Sequence, residues 1–350
     1  MSANAINSAS DHADTDNVVA GQYMSHESTQ APGVLKNTAQ QDASSLVSDY
    51  RLSDKHTIYT VARGSSDAAA NVLSYEMMRV LQRPVVSLPP SVFSIGSGVR
   101  LDNALVIVIS QSGASDDLVK TTQGARQRGA VVVAITNQKG SAVASAADAT
   151  LAMNAGAELA IPATKSVVGS IAAGIALLSA LDSTYRQRSL AALQGVSENL
   201  PAYAGARTIS AALLRARHVF VVGRDTGYGA AIEVALKLKE CCALHAEAYS
   251  ASEVLHGPLQ LATNPLLVLI LDTGTDHVQQ SLDQAESRFR GTHCQVIRLC
   301  PDTGTEATLT PAISAALLLC MLYPIIMDTA LALGFNPDKP STLSKVTETT

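Results

Sequence analysis

The chain has 350 residues, 47% apolar and 16% charged, with 25 Lys and Arg against 30 Asp and Glu for a net charge of −5. That is enough for two domains with a substantial core. The acidic balance, few aromatics and lack of a basic run exclude a general nucleic-acid surface, so any bound anion must be held by a local site.

Taken from the start, residues 1–22 are rich in Ser, Asn, Asp and Ala and predict a disordered tail, followed by a helical segment over 23–50. The N-terminus has no apolar stretch of the secretory kind, and the five cysteines form no CxxC pair, so a reduced, cytoplasmic protein is expected. Short apolar runs then alternate with helical patterns: Ile58–Ala62, Leu105–Ser110 and Val131–Thr136, then Val219–Gly223, Leu266–Asp272 and Gln295–Cys300. They are continuously apolar, as strands covered on both faces are, and predict repeated βαβ units with parallel sheets.

The runs also repeat. Tyr59-Thr-Val-Ala-Arg63 matches Phe220-Val-Val-Gly-Arg224 at a spacing of 161 residues, and Leu105–Gly113 matches Leu266–Gly274 at the same 161. Val131–Thr136 matches Cys294–Leu299 at 163. The chain is a duplication, with a first domain over 51–200 and a second over 201–335. Leu200-Pro201 marks the link, Ala202–Arg217 predicts the helix that leads the second copy, and 336–350 forms a tail. Two uncharged stretches, Ser166–Leu181 and Pro311–Met327, are 16 and 17 residues long. Both fall short of the roughly 18–20 a membrane span needs, so core or interface helices are expected.

The first copy's strand ends carry hydroxyls. Leu105–Ile109 runs into Ser110-Gln111-Ser112-Gly113-Ala114-Ser115, and the first strand ends in Arg63-Gly64-Ser65-Ser66. Ligands of open α/β sheets bind at the carboxyl ends of strands, where hydroxyls and free helix N–H groups can cradle a phosphate. The alternative is that these serines merely cap helices. The second copy has Asp272-Thr273-Gly274 there, whose carboxylate would repel a phosphate, so one phosphate site is expected, in the first copy. Gly223-Arg-Asp-Thr-Gly227-Tyr-Gly229 lacks the dinucleotide glycine spacing, there is no P-loop, and no His or Cys spacing favours a metal.

In the stretch 233–258, Glu233, Lys237 and Glu240 fall on one helix face at i, i+4 and i+7, with His245 and His256 following. This suits general acid–base chemistry. A solvated Glu–Lys pair on a helix surface fits the spacing equally well.

The chain resembles the sugar isomerase (SIS) superfamily in its tandem form. It is similar to the isomerase half of glucosamine-6-phosphate synthase and, most closely, to stand-alone SIS-type glucosamine-6-phosphate deaminases. The shared text includes Tyr23-Met24 with Glu27, Lys36-Asn37-Thr38, Ser110-Gln-Ser-Gly113, Asn154-Ala-Gly156 through Ala163-Thr-Lys165, and Ala235-Leu-Lys-Leu-Lys-Glu240. His245-Ala-Glu-Ala-Tyr249, His256-Gly-Pro258 and Leu343-Ser-Lys345 complete it. The resemblance implies two tandem α/β domains, each a doubly wound parallel sheet in a flavodoxin-like or Rossmann-like three-layer sandwich.

It also implies roles. Ser66, Ser110, Gln111, Ser112 and Ser115 match phosphate-binding positions, with Gly64, Ile161 and Ala163 beside the sugar. Glu240 matches the base that moves a proton between C1 and C2, with Glu233, Lys237 and His245 as neighbours. His256 matches a ring-opening histidine supplied by the partner of a homodimer with shared sites, and Lys345 a tail lysine at the sugar's carbonyl end. Such chemistry needs no metal or organic cofactor. Neither nucleic acid nor membrane is an expected partner.

Departures from the family are Ala163, preceded by Pro162, where relatives carry a hydroxyl, and Ser115 for a threonine. About 50 residues precede the first strand, too few for a glutaminase domain. The expected reaction is therefore conversion of glucosamine 6-phosphate to fructose 6-phosphate and ammonia. The alternatives are another sugar phosphate (galactosamine 6-phosphate or fructosamine 6-phosphate), plain aldose–ketose isomerisation, or a sensor without chemistry.

Overall fold

A computed structural model describes residues 19–301 and 308–345. Of the expected tail over residues 1–22, residues 1–18 lie outside the described residues, and Gln22 already opens the first helix. The first copy runs α1 (Gln22–Thr38), α2 (Ser44–Asp49), β1 (Thr57–Val61), α3 (Ser65–Leu81), β2 (Val85–Ser87), α4 (Ser91–Ser94), β3 (Ala104–Ser110), α5 (Asp116–Gln127), β4 (Val131–Thr136), α6 (Ala142–Ala146), β5 (Ala149–Ala152), α7 (Lys165–Leu181) and α8 (Ser183–Gln194). The second runs α9 (Ala206–Leu213), β6 (His218–Gly223), α10 (Thr226–Cys242), β7 (His245–Ser250), β8 (Leu267–Leu271), α11 (Asp276–Arg290), β9 (Gln295–Leu299) and α12 (Pro311–Ala332).

Each copy forms a parallel sheet, ordered β2-β1-β3-β4-β5 and β7-β6-β8-β9. Both orders reverse beside the copy's first strand, which opens a crevice at the carboxyl ends of β1 and β3, and of β6 and β8. Strand residues divide by parity. Leu105, Ile107 and Ile109 of β3 join an apolar core that continues through α3, α7, α10 and α12 to Val219, Val221, Leu267 and Leu269 of the second sheet. Val106 and Val108 pack on the other side with Leu118 and Ala125 of α5. Phe220, Val222, Val268 and Ile270 pack with Val278, Leu282 and Phe289 of α11. The two sheets thus share one central helical layer, and each has its own outer layer.

The duplication is visible in the backbone. Gly64 and Asp225, 161 residues apart, both adopt φ 57°, ψ −132° immediately before α3 and α10. A left-handed φ of this kind favours glycine. Asp225 holds it with a side-chain hydrogen bond from Thr226 N, an ion pair to Arg79 at 2.6 Å and a hydrogen-bond contact with His277 Nε2 at 3.0 Å.

The six expected strands are present to within a residue or two of each end. Three further strands, β2, β5 and β7, lie at sheet edges, where exposed positions break up the apolar run. The expected helix over Ala202–Arg217 shortens to Ala206–Leu213: Ala206 N closes a turn onto the Tyr203 carbonyl before it, and Arg215 N and Ala216 N close tight turns onto Ala212 and Leu213 after it. α12 is longer than expected. At 22 residues it is long and apolar enough to cross a membrane by length and composition, but 72% of its apolar window is buried inside this fold.

Candidate active site

The crevice at β1 and β3 opens into a cavity of about 370 Å³. One side is the hydroxyl loop. Ser110 Oγ accepts from Gly113 N at 3.1 Å, which folds the chain back at the end of β3. Gly113 has φ 61°, and a Cβ there would lie 2.1 Å from Ser141 Oγ, so only glycine completes this turn. Ser115 stands at the N-cap of α5 yet makes no side-chain capping bond, so its hydroxyl is not used as a cap. Gly64, Ser65, Ser66, Ser110, Gln111, Ser112 and Ser115 all line the cavity. The free N–H groups of α5 and this ring of hydroxyls form a neutral donor set suited to a phosphate.

The opposite wall comes from the second copy. The Glu233–Lys237–Glu240 face of α10 does not point to water: Glu233 and Lys237 are 0% exposed and Glu240 is 23% exposed. The solvated surface pair is thereby excluded. Lys237 Nζ lies 3.5 Å from Glu233, is hydrogen-bonded to Glu240, and donates to Ser65 Oγ at 3.0 Å. Tyr323 of α12 donates to Glu233 Oε1 at 3.2 Å. Burial pushes the Glu233 carboxyl up to about 7 against the opposing pull of Lys237. Burial alone would lower the Lys237 ammonium, but Glu233 and Glu240 more than offset it and hold Lys237 above its ordinary range. The result is a permanently charged lysine wedged behind a carboxylate that faces the cavity.

The C-terminal tail makes the third wall. Leu343, Ser344 and Lys345 line the cavity with Ile161 and Ala163. Lys345 Nζ donates to the Ala160 carbonyl and lies 3.6 Å from buried Glu158. Two buried carboxylates organise this wall. Glu158 accepts from Thr164 N at 3.0 Å, Ser166 N at 3.1 Å and Ser166 Oγ at 2.5 Å. Glu27 of α1 accepts from Leu159 N and, at 3.3 Å, Ala160 N.

Two histidines are not brought in. His245 begins β7 at the amino edge of the second sheet, 63% exposed and 3.3 Å from His218, and lines a different cavity. The expectation that it neighbours Glu240 is corrected. α10 ends at Cys242, so the chain has already turned away from the cavity into β7. His256 is exposed on a turn and does not line this chain's cavity. Conversely, sequence reasoning misses Glu158, the contact of Ser65 with Lys237, and the roles of Glu27 and Asp338. Ser65 sits in the hydroxyl run of the first strand's end, but its contact is with a lysine 172 residues away. No spacing signals that.

Among the described residues no cluster of His, Cys, Asp and Glu suits a metal ion. The SIS domain family model matches residues 51–180 and 212–308. Glutamine–fructose-6-phosphate aminotransferase [isomerizing] of Pyrobaculum aerophilum is 32% identical over 309 residues, 82% of this chain and 50% of that protein. The Symbiobacterium thermophilum protein of the same name is 33% identical over 313 residues, 81% of this chain and 50% of its own. The chain therefore spans about half the length of the curated relatives it matches.

Among solved structures, a Silicibacter pomeroyi protein assigned as a phosphosugar isomerase superposes with a TM-score of 0.80 at 32% identity, covering 91% of this chain and 100% of that one. Glucosamine-6-phosphate deaminase from Thermotoga maritima shares the fold, with a TM-score of 0.73 at 21% identity over 93% of this chain and 100% of that one. With both halves matched and relatives a third identical over four-fifths of its length, the chain belongs to the SIS domain family, as a tandem-SIS homologue of the glutamine–fructose-6-phosphate aminotransferases.

Proposed function

We propose that the protein is a sugar-phosphate isomerase acting as a glucosamine-6-phosphate deaminase. The observation that carries this reading is the pairing of a neutral hydroxyl cradle with the buried Lys237–Glu240 pair across one cavity. The phosphate sits on Ser66, Ser110, Gln111, Ser112 and Ser115, which fixes the sugar's far end and directs remote binding energy into orientation. Glu240 is the only one of the three α10 groups that lines the cavity, so it is the base. It takes the proton from C2 of the open-chain sugar and returns it to C1. Lys237, fixed by Glu233 and Ser65, stabilises negative charge that builds during the transfer. Lys345 addresses the carbonyl end. The C2 imine that results adds one water and releases ammonia, leaving fructose 6-phosphate. His256 of a second copy opens the ring, in keeping with its exposure in this chain.

The test is ammonia and fructose 6-phosphate release from glucosamine 6-phosphate by the purified protein without glutamine. Equal amounts of both are expected. Glu240→Gln should lower kcat by about 10²–10⁴-fold, the usual worth of a positioned base, and keep sugar-phosphate binding. Turnover undiminished in Glu240→Gln would sink the assignment. Binding without turnover across amino sugar phosphates would favour a sensor.

A further inference from the structure

The duplication that built the Lys237–Glu240 corner has a second product. At the 161-residue spacing Glu76 of α3 stands where Lys237 stands in α10, and Arg79 where Glu240 stands. Around them lies a separate cavity of about 590 Å³. Three of its walls have counterparts in the first, while the strand-end loops do not line it. The residues before α12, ending in Thr310, replace those before α7, and α8, which follows α7, replaces the tail that follows α12.

The deep wall of this cavity is polar and only partly paired. Glu76 and Tyr185 are each 1% exposed and Thr310 is 5% exposed. The Tyr185 hydroxyl faces Glu76 and Thr310. Even so, Tyr185 Oη, Thr310 Oγ1 and Arg79 Nε are buried without a hydrogen-bond partner among the described residues, and Glu76 Oε2 meets only the Arg79 guanidinium, at 3.2 Å. Thr310 stands at the N-cap of α12 and does not cap it. An unpaired buried polar atom is destabilising, and folded proteins seldom leave several together. The only charge contacts of this wall among the described residues are Arg79 with Glu76 at 3.2 Å and with Asp225 at 2.6 Å. At the mouth, exposed Arg188 holds its guanidinium 5.9 Å from the Tyr185 ring centroid.

We propose that this cavity is a second ligand site, which binds a hydroxylated phosphomonoester of the open-chain sugar-alcohol kind. Ligand hydroxyls complete Glu76, Tyr185 and Thr310, and the phosphate meets Arg188, whose planar fork suits an oxyanion. The size is ordinary for a small-molecule site. The counterpart of the hydroxyl loop, which begins at Asp272, does not line this cavity, and Asp272 is instead held by Arg298 at 2.7 Å; Arg188 supplies the anion contact. Arg79 replaces the carboxylate at the position equivalent to Glu240, so the base of the first cavity has no counterpart here, and the site is proposed to bind without isomerising. This second site stands on these residues and not on the activity proposed above.

The test is calorimetric titration of the full chain with glucitol 6-phosphate, which has no carbonyl to isomerise. Wild type should bind two equivalents per chain. Arg188→Glu and Tyr185→Phe should each weaken one of them by roughly tenfold or more, a loss of the size expected for one charge-assisted or buried hydrogen bond. Ser112→Ala should weaken the other. Arg188 is exposed and Tyr185→Phe keeps the buried ring, so thermal unfolding should show both variants folded. No binding, or binding in which neither Arg188→Glu nor Tyr185→Phe weakens any equivalent, would overturn the proposal. A single equivalent lost in Arg188→Glu and spared by Ser112→Ala would uphold it and count against the serine cavity instead.

Discussion

Glu233 shows how much one buried carboxyl can reveal. It is fully buried, 3.5 Å from Lys237, and burial lifts it from an ordinary 4.5 to about 7. A carboxyl whose folded pKa exceeds its unfolded one favours the folded state when protonated. That contribution is complete below about pH 4.5 and is lost as pH rises through about 7. Wild-type stability should therefore fall between pH 5 and pH 8, and Glu233→Gln should flatten that fall. The difference between the two profiles should be on the order of 3 kcal/mol at most, since each tenfold change in a protonation equilibrium is worth about 1.4 kcal/mol. Thermal or urea unfolding at four or five pH values measures it. Superimposable profiles would show that Glu233 does not titrate in this range. The sequence placed Glu233, Lys237 and Glu240 on one face because helical phase is written in spacing. It could not say whether the face met water or protein, because Glu and Lys read as polar in either place.

At the scale of elements, loops at strand ends were legible and the tail was not. The Ser110–Ser115 loop follows an unbroken apolar strand, and its hydroxyls are neighbours in sequence. The C-terminal wall depends on contacts between distant segments. Asp338 accepts from Tyr23 N at 3.1 Å and Met24 N at 2.7 Å, at the start of α1, where Gly21 offers no side-chain cap. Ile161 N donates to the Asp338 carbonyl at 2.8 Å. One aspartate thus ties the tail to α1 and to the 158–161 segment, and so places Lys345 against Ala160 and Glu158. Asp338→Ala should cost about 1 kcal/mol of stability, the usual value of a lost helix cap. It should also lower kcat, roughly tenfold for a misplaced positioning contact, with KM changed less. Asp338→Asn keeps an acceptor and should recover most of the rate. A stability loss with an unchanged kcat would reduce Asp338 to a structural cap.

For the whole molecule, parallel strands, apolar runs and the 161-residue repeat were enough to read a duplicated α/β chain, because burial on both faces leaves a continuous signal. The edge strand that carries His245 was missed, since its exposed positions erase that signal and its histidine ends on the far edge of the sheet. His256 raises the largest question. It is exposed in this chain and outside the cavity it is proposed to serve. If a second copy supplies it, every site in a two-fold dimer draws Glu240 from one chain and His256 from the other. Glu240→Gln and His256→Asn proteins, each inactive alone, should then complement when unfolded together, mixed in equal amounts and refolded. Half of the dimers are mixed, and each mixed dimer restores one of its two sites, so roughly a quarter of wild-type activity should return. Should the mixture stay inactive while refolded wild type recovers, Glu240 and His256 would have to act within one chain and the shared-site arrangement would be overturned.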